Sequence, residues 1–207
     1  MLIMKSTRLF VQTLSAVLLL FLVTGCTHLV KIKVQPATLP VVSKLPVHAA
    51  LVMDGGLTNF VYDYHLQGDI FRYQFGPPLR DYARHLTGAS FAQVDEVSSK
   101  AAALADTSAD IVLIPRGVKA DQGVGVWAWD KVNFTMVIEW TAIDRTSQNT
   151  IWLKTITADA SEAEGNAFTA THDRNVLMQK LFNDLSAKTL DAFQKAPELH
   201  GQTTTQK

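Results

Sequence analysis

Few side chains in this sequence are spaced to do chemistry. The six histidines, His28, His48, His65, His85, His172 and His200, never stand three or four apart from one another, so no helical metal-binding pair is spelled out. Asp81 and His85 lie four apart on an amphipathic stretch. That spacing serves either a weak metal site or, far more commonly, a side-chain pair on one helix face. Asp63, His65 and Asp81 would suit hydrolysis only if the fold made them converge. There is no Gly-x-Ser-x-Gly elbow, no phosphate loop and no dinucleotide-binding glycine pattern. Gly123-Val124-Gly125 alone reads as a bulge or a strand entry. The expectation is therefore a chain that is not an enzyme and uses no cofactor and no metal.

One thiol stands apart. Cys26 is the single cysteine and directly follows Val23-Thr24-Gly25. Before it come Lys5 and Arg8, then a greasy run from Leu9 to Val23. A spanning helix needs about 20 mostly apolar residues, and this run is shorter and ends in small residues that a peptidase can reach. The arrangement resembles the signal peptide and lipobox of a bacterial lipoprotein precursor. The resemblance implies removal of residues 1–25, a diacylglyceryl thioether on Cys26 and a palmitate-type acyl chain on its new amino group. Stable anchoring takes about two lipid signals, and three chains exceed that. The resemblance further implies a sorting role for the next residue. Thr27, where aspartate would retain the protein in the inner membrane, implies the outer membrane, facing the periplasm.

Composition narrows the partners. Removal of 25 residues from 207 leaves 182, enough for one well-buried core. It takes Lys5 and Arg8 with it, so 17 Lys+Arg face 19 Asp+Glu, a formal charge of −2. That leaves no basic field for nucleic acid and no polybasic patch for anionic lipid. With Cys26 lipidated no thiol remains for a disulfide, so packing alone must hold the fold.

The aromatics offer a second kind of site. Trp127 and Trp129 share one face of an extended segment and adjoin Asp130 and Lys131. These four residues form a candidate partner-binding patch, with core packing as the alternative. Trp140 and Trp152 flank a turn, are expected to approach across a hairpin, and read as core.

The elements that must position these residues follow from periodicity. Val30 to Pro46 carries Pro36, Pro40 and Pro46 and reads as a tether, opened by a short alternating stretch. Ala49 to Met53 is an apolar run ended by the turn signal Asp54-Gly55-Gly56. Phe60, Tyr62 and Tyr64, then Phe71, Tyr73 and Phe75, alternate as half-buried strands. Gly76-Pro77-Pro78 opens a helix with Leu79, Tyr82, Ala83 and Leu86 on one face. Phe91 to Val94 predicts a short strand, Ser98 to Ala105 a helix and Ile111 to Ile114 a central strand. Val132 to Trp140 alternates most clearly, and Ile151 to Thr157 returns beside it as a hairpin. Asp173 is the expected cap of a final helix running to Phe193.

The expected fold is α+β, a two-layer sandwich of a mainly antiparallel sheet with two or three helices. Residues 26–47 form the lipidated N-terminus and tether, 48–196 a single domain, and 197–207 a disordered tail. Arg116–Asp130 and Ala158–Thr171 are expected as partner-contacting loops. The layout also bears an architectural resemblance to auxiliary lipoproteins of envelope-assembly and export systems. The expected function is an outer-membrane-anchored accessory lipoprotein, a non-enzymatic docking or assembly component. The alternative is a periplasmic carrier or sensor of a lipid or glycan.

Overall fold

A computed structural model describes residues 26–66, 68–123, 131–163 and 171–200. The chain divides into two compact units, one of residues up to Val30 with Asp63–Tyr73, the other of Lys31–Tyr62 with Gln74–Lys207. The fold class is α+β.

The larger unit is built on a five-stranded sheet in the order β5-β2-β6-β7-β8. Its strands are β2 (Leu45–Val52), β5 (Phe91–Val97), β6 (Ile111–Gly123), β7 (Lys131–Asp144) and β8 (Thr150–Ala163). β2 runs parallel to both β5 and β6, whereas β6, β7 and β8 form an antiparallel meander. The position of β2 explains its composition. Ala49, Ala50, Leu51 and Val52 are all fully buried because both faces of a strand flanked on each side are covered.

Among the described residues four helices accompany these strands: α1 (Gly55–Thr58), α2 (Gly76–Ser90), α3 (Lys100–Ala105) and α4 (Thr171–Gln194). α2 and α4 cover the sheet face that carries Trp140. Tyr82 of α2 packs edge-on against Trp140 and against Phe182 of α4. Phe193 of α4 packs against Phe91, Trp140 and Trp152. α3 lies on the opposite face, where Ala103 joins Ala50, Val52, Ala109, Val112 and Ile143 in a small apolar cluster. Over β7 that second face is largely polar, with Asn133, Thr135, Glu139 and Thr141 beside a half-buried Val137, alternating with buried Phe134, Ile138 and Trp140. This is the pattern of an antiparallel sheet wetted on one side.

The smaller unit holds a three-stranded sheet in the order β1-β4-β3. It comprises β1 (Thr27–Lys31), β3 (Val61–Leu66) and β4 (Asp69–Gln74). Gly68, at the turn between β3 and β4, has φ of +93°, a conformation that favours glycine.

Several expectations change. Arg116–Gly123 is not loop but the second half of β6, paired with β7 from Glu139 to Asn133 around an irregularity between Gly117 and Lys119. Likewise Ala158–Ala163 continues β8, because Ala158 and Ala160 turn inward against Met136 and Phe134. Residues 124–130 and 164–170, the remainder of both expected loops, lie outside the described residues. Asp173 falls inside α4, which begins at Thr171, and not ahead of it. Asp54-Gly55-Gly56 does more than turn: Asp54 caps α1 by accepting from the Gly56 N–H at 2.8 Å. Pro197–Leu199 is a 3-10 turn with Leu199 fully buried, so this stretch belongs to the packed unit and not to a tail.

Candidate functional site

Cys26 lies in the smaller unit, exposed and with a free thiol. Its backbone is held in place by two bonds. The Cys26 N–H donates to Asp69 Oδ1 at 3.0 Å, and the Cys26 carbonyl accepts from the Ile70 N–H at 3.0 Å. His28 lies 3.5 Å from the other Asp69 oxygen and stacks on Phe71 with ring centroids 5.0 Å apart. Across the hairpin, Arg72 donates to Asp63 through Nε at 2.8 Å and through a terminal nitrogen at 2.6 Å. That two-pronged bond holds the Asp63 carboxyl below its ordinary range. Asp63 is thus half of an ion pair.

The other residues singled out above are dispersed among structural duties. Asp81 pairs with Arg84 at 3.5 Å. His85 turns to the Ala37 carbonyl at 3.0 Å, so the two do not pair with each other. The His48 ring Nε2 lies 2.6 Å from Asp95 Oδ2, and the His48 backbone N–H donates to Asp110 Oδ2. Trp127, Trp129 and Asp130 lie outside the described residues, as does the side chain of Lys131, whose backbone pairs with Ala163. Trp140 is fully buried, and Trp152 is diagonal to it on the same face, opposite Ala142. Among the described residues no group of three histidine, cysteine or acidic side chains is placed to hold a metal ion.

The larger unit carries a concave site that the sequence did not announce. Residues 32–44 have no regular secondary structure and run as a strap beside the helices. The Gln35 N–H donates to Gln179 Oε1 at 2.7 Å, and Gln179 Nε2 donates back to the Gln35 carbonyl at 3.0 Å. The amide side chain thereby imitates a strand neighbour. His85 Nε2 donates to Ala37, and Gln194 Nε2 reaches the Ser43 carbonyl at 3.4 Å. Beneath the strap is a cleft of about 650 Å³ whose apolar lining includes Ile32, Val34, Pro77, Pro78 and Phe182. Asp81, Arg84 and His85 also line it. Arg84 is bonded to Glu96 as well as Asp81, which holds the Glu96 carboxyl below its usual range. Tyr82 forms part of the wall, its hydroxyl 2.6 Å from Thr189 Oγ1, and burial pushes the phenol strongly upward. This arrangement offers shape and apolar surface for binding.

No family model matches the chain, and no curated protein matches it in sequence. Among solved structures, the chain is similar to a Xanthomonas campestris protein described under the family model DUF330. The TM-score is 0.53 at 10% identity, over 81% of this chain and 97% of that one. That likeness supports a shared fold. A minor lipoprotein from Acinetobacter baumannii gives 0.43 at 12% identity over 73% of this chain and 92% of its own. A hypothetical protein from Chlamydia trachomatis gives 0.44 at 10%, over 72% and 98%. These two likenesses are too loose to carry an argument.

Proposed function

We propose that the protein is a lipid-anchored accessory component of the bacterial outer membrane, docking a partner rather than turning over a substrate. The observation that carries this reading is Val23-Thr24-Gly25-Cys26 behind a basic and apolar leader. The geometry is compatible with it: Cys26 is exposed directly before β1. Among the described residues no helix is long and apolar enough to cross a membrane. N-acylation leaves one N–H on Cys26, so the bond to Asp69 survives the modification. The candidate docking patch remains Trp127, Trp129, Asp130 and Lys131.

The test is metabolic labelling. The unsubstituted chain takes up labelled palmitate and sediments with outer membranes. Cys26→Ser loses the label and is no longer processed to the mature size. Retained label and unchanged size in that variant would overturn the proposal.

A second reading, a lipid carrier, is favoured by the apolar cleft under the strap. Native mass spectrometry of detergent-free protein tests it. A stoichiometric lipid adduct that falls when Val34→Asp puts a charge into the apolar lining supports a carrier, and an adduct-free spectrum sinks it.

A further inference from the structure

We propose that the outer edge of β8 is a docking surface for a second copy of this chain, paired antiparallel about Leu153. β8 is the last strand of the five-stranded sheet, so one row of its backbone groups has no strand to meet. The parity of that row is visible where α4 closes it. The Asp159 N–H donates to Asp184 Oδ2 at 3.0 Å, and Lys188 Nζ donates to the Thr157 carbonyl at 3.0 Å. The backbone groups of Leu153 and Thr155 point the same way, since alternate residues share an edge. Among the described residues no side chain caps either of them. The open stretch is bounded by the Lys188 cap on one side and by the irregularity beside Trp152 on the other.

The side chains say what belongs there. Leu153 is 59% exposed on a face where its neighbours are Thr141, Thr155 and Glu139. Covering Leu153 with an apolar partner side chain would remove that surface from water. Two copies related by a two-fold axis at Leu153 place Leu153 on Leu153, joined by two backbone hydrogen bonds. On the opposite face the same register sets Trp152 of each copy against Lys154 of the other, a pair that a cation and an indole favour. A groove of about 500 Å³ lined by Trp152, Lys154, Lys195 and Pro197 lies beside this edge and gives those side chains room. Shifting the axis to residue 154 would oppose two lysines, which is unfavourable. Shifting it to Thr155 would place Leu153 against Thr157, whose carbonyl is already taken. Of these three registers, charge and capping favour the one centred on Leu153, and it is self-complementary because the two unlike neighbours of Leu153, Trp152 and Lys154, each meet the other across the axis.

The experiment is disulfide trapping in intact membranes of cells expressing the full chain. In this register the two Leu153 Cα atoms stand about 5.5 Å apart, inside the window of roughly 4.4–6.8 Å that a disulfide spans. The two Thr155 Cα atoms are offset by four residues, on the order of 13 Å. Leu153→Cys should give a covalent homodimer under mild oxidation, and Thr155→Cys should stay monomeric. The unsubstituted chain controls for Cys26. Leu153→Glu, at an exposed position that the monomer tolerates, should shift detergent-solubilised protein from dimer to monomer mass. Equal trapping at both positions, trapping at neither, or a Leu153→Cys product joined only to another protein would overturn the proposal.

Discussion

Gly76 and Gly88 sit in the same helix and answer to opposite demands. A methyl group on Gly76 would lie 1.8 Å from the Thr58 carbonyl oxygen, backbone that has no route of retreat. That closeness exists because Phe75 and Gly76 both donate to the Phe60 carbonyl at 3.0 Å, clamping the start of α2 to the end of α1. Gly76→Ala should destabilise by about 3 kcal/mol, the upper end of ordinary overpacking. Around Gly88 there is nothing within 4 Å of an added Cβ, and the residue is exposed inside the helix. Gly88→Ala should stabilise by about 0.5–1 kcal/mol through lost backbone entropy. Urea midpoints at unchanged slope measure both, and the signs must differ. The sequence told these two glycines apart only in part: Gly76 before two prolines marked a helix start, but the approach of Thr58 belongs to the tertiary fold. The proposal for Cys26 rests on its neighbours in sequence, Val23-Thr24-Gly25. Asp69, which holds its amide, was not legible there, because 43 residues separate them.

At the scale of elements, a buried hydroxyl pair, Tyr82 with Thr189, links α2 to α4. Burial raises the Tyr82 phenol above its ordinary value of 10.0. The folded state therefore keeps the proton while the unfolded chain loses it. Stability from this group is complete below about pH 10 and drains away as pH climbs further. The carboxylates run the other way. Glu96 is depressed by bonding to Arg84, Asp63 by bonding to Arg72 and Asp144 by the backbone N–H of Ser147. Their contribution is complete above the ordinary carboxylate range and is lost as pH falls below it. Melting temperatures against pH should fall at both ends, and Tyr82→Phe should flatten the alkaline limb while leaving the acid limb in place. An unchanged alkaline limb in that variant assigns the loss to other groups. Strand elements were legible where large apolar residues alternate, as in Val132 to Trp140. The far halves of β6 and β8 were not, because Gly117, Ala120, Ala158 and Ala160 are small and their neighbours polar. Alternation written in alanine looks like loop until Met136 and Phe134 are seen across the ladder.

At the scale of the whole molecule, the parallel placement of β2 between β5 and β6 and the course of the strap were both invisible in the sequence. Neither leaves a local pattern: the first is a choice of neighbours, the second a matter of which helix side chains reach back to backbone. The prolines of the strap marked it as extended, and its alternation put Ile32 and Val34 on one side. Nothing in that stretch named Gln179, which is 144 residues from Gln35. The strap is held mainly by exposed polar contacts, with Ala37, 9% exposed, its most buried apolar anchor. Such contacts contribute about 0.5–1 kcal/mol each. Replacing Gln179, His85 and Gln194 with alanine together should lower the cost of lifting the strap by about 2 kcal/mol, a factor of about thirty in the open population. Trypsin reads that population at Lys33 and Lys44 when opening is fast relative to cleavage. Cleavage there should accelerate by about that factor, with the global urea midpoint nearly unchanged. If the midpoint instead falls in step with the cleavage rate, the strap opens only when the whole domain unfolds, and it is part of the core and not a separable band laid over it.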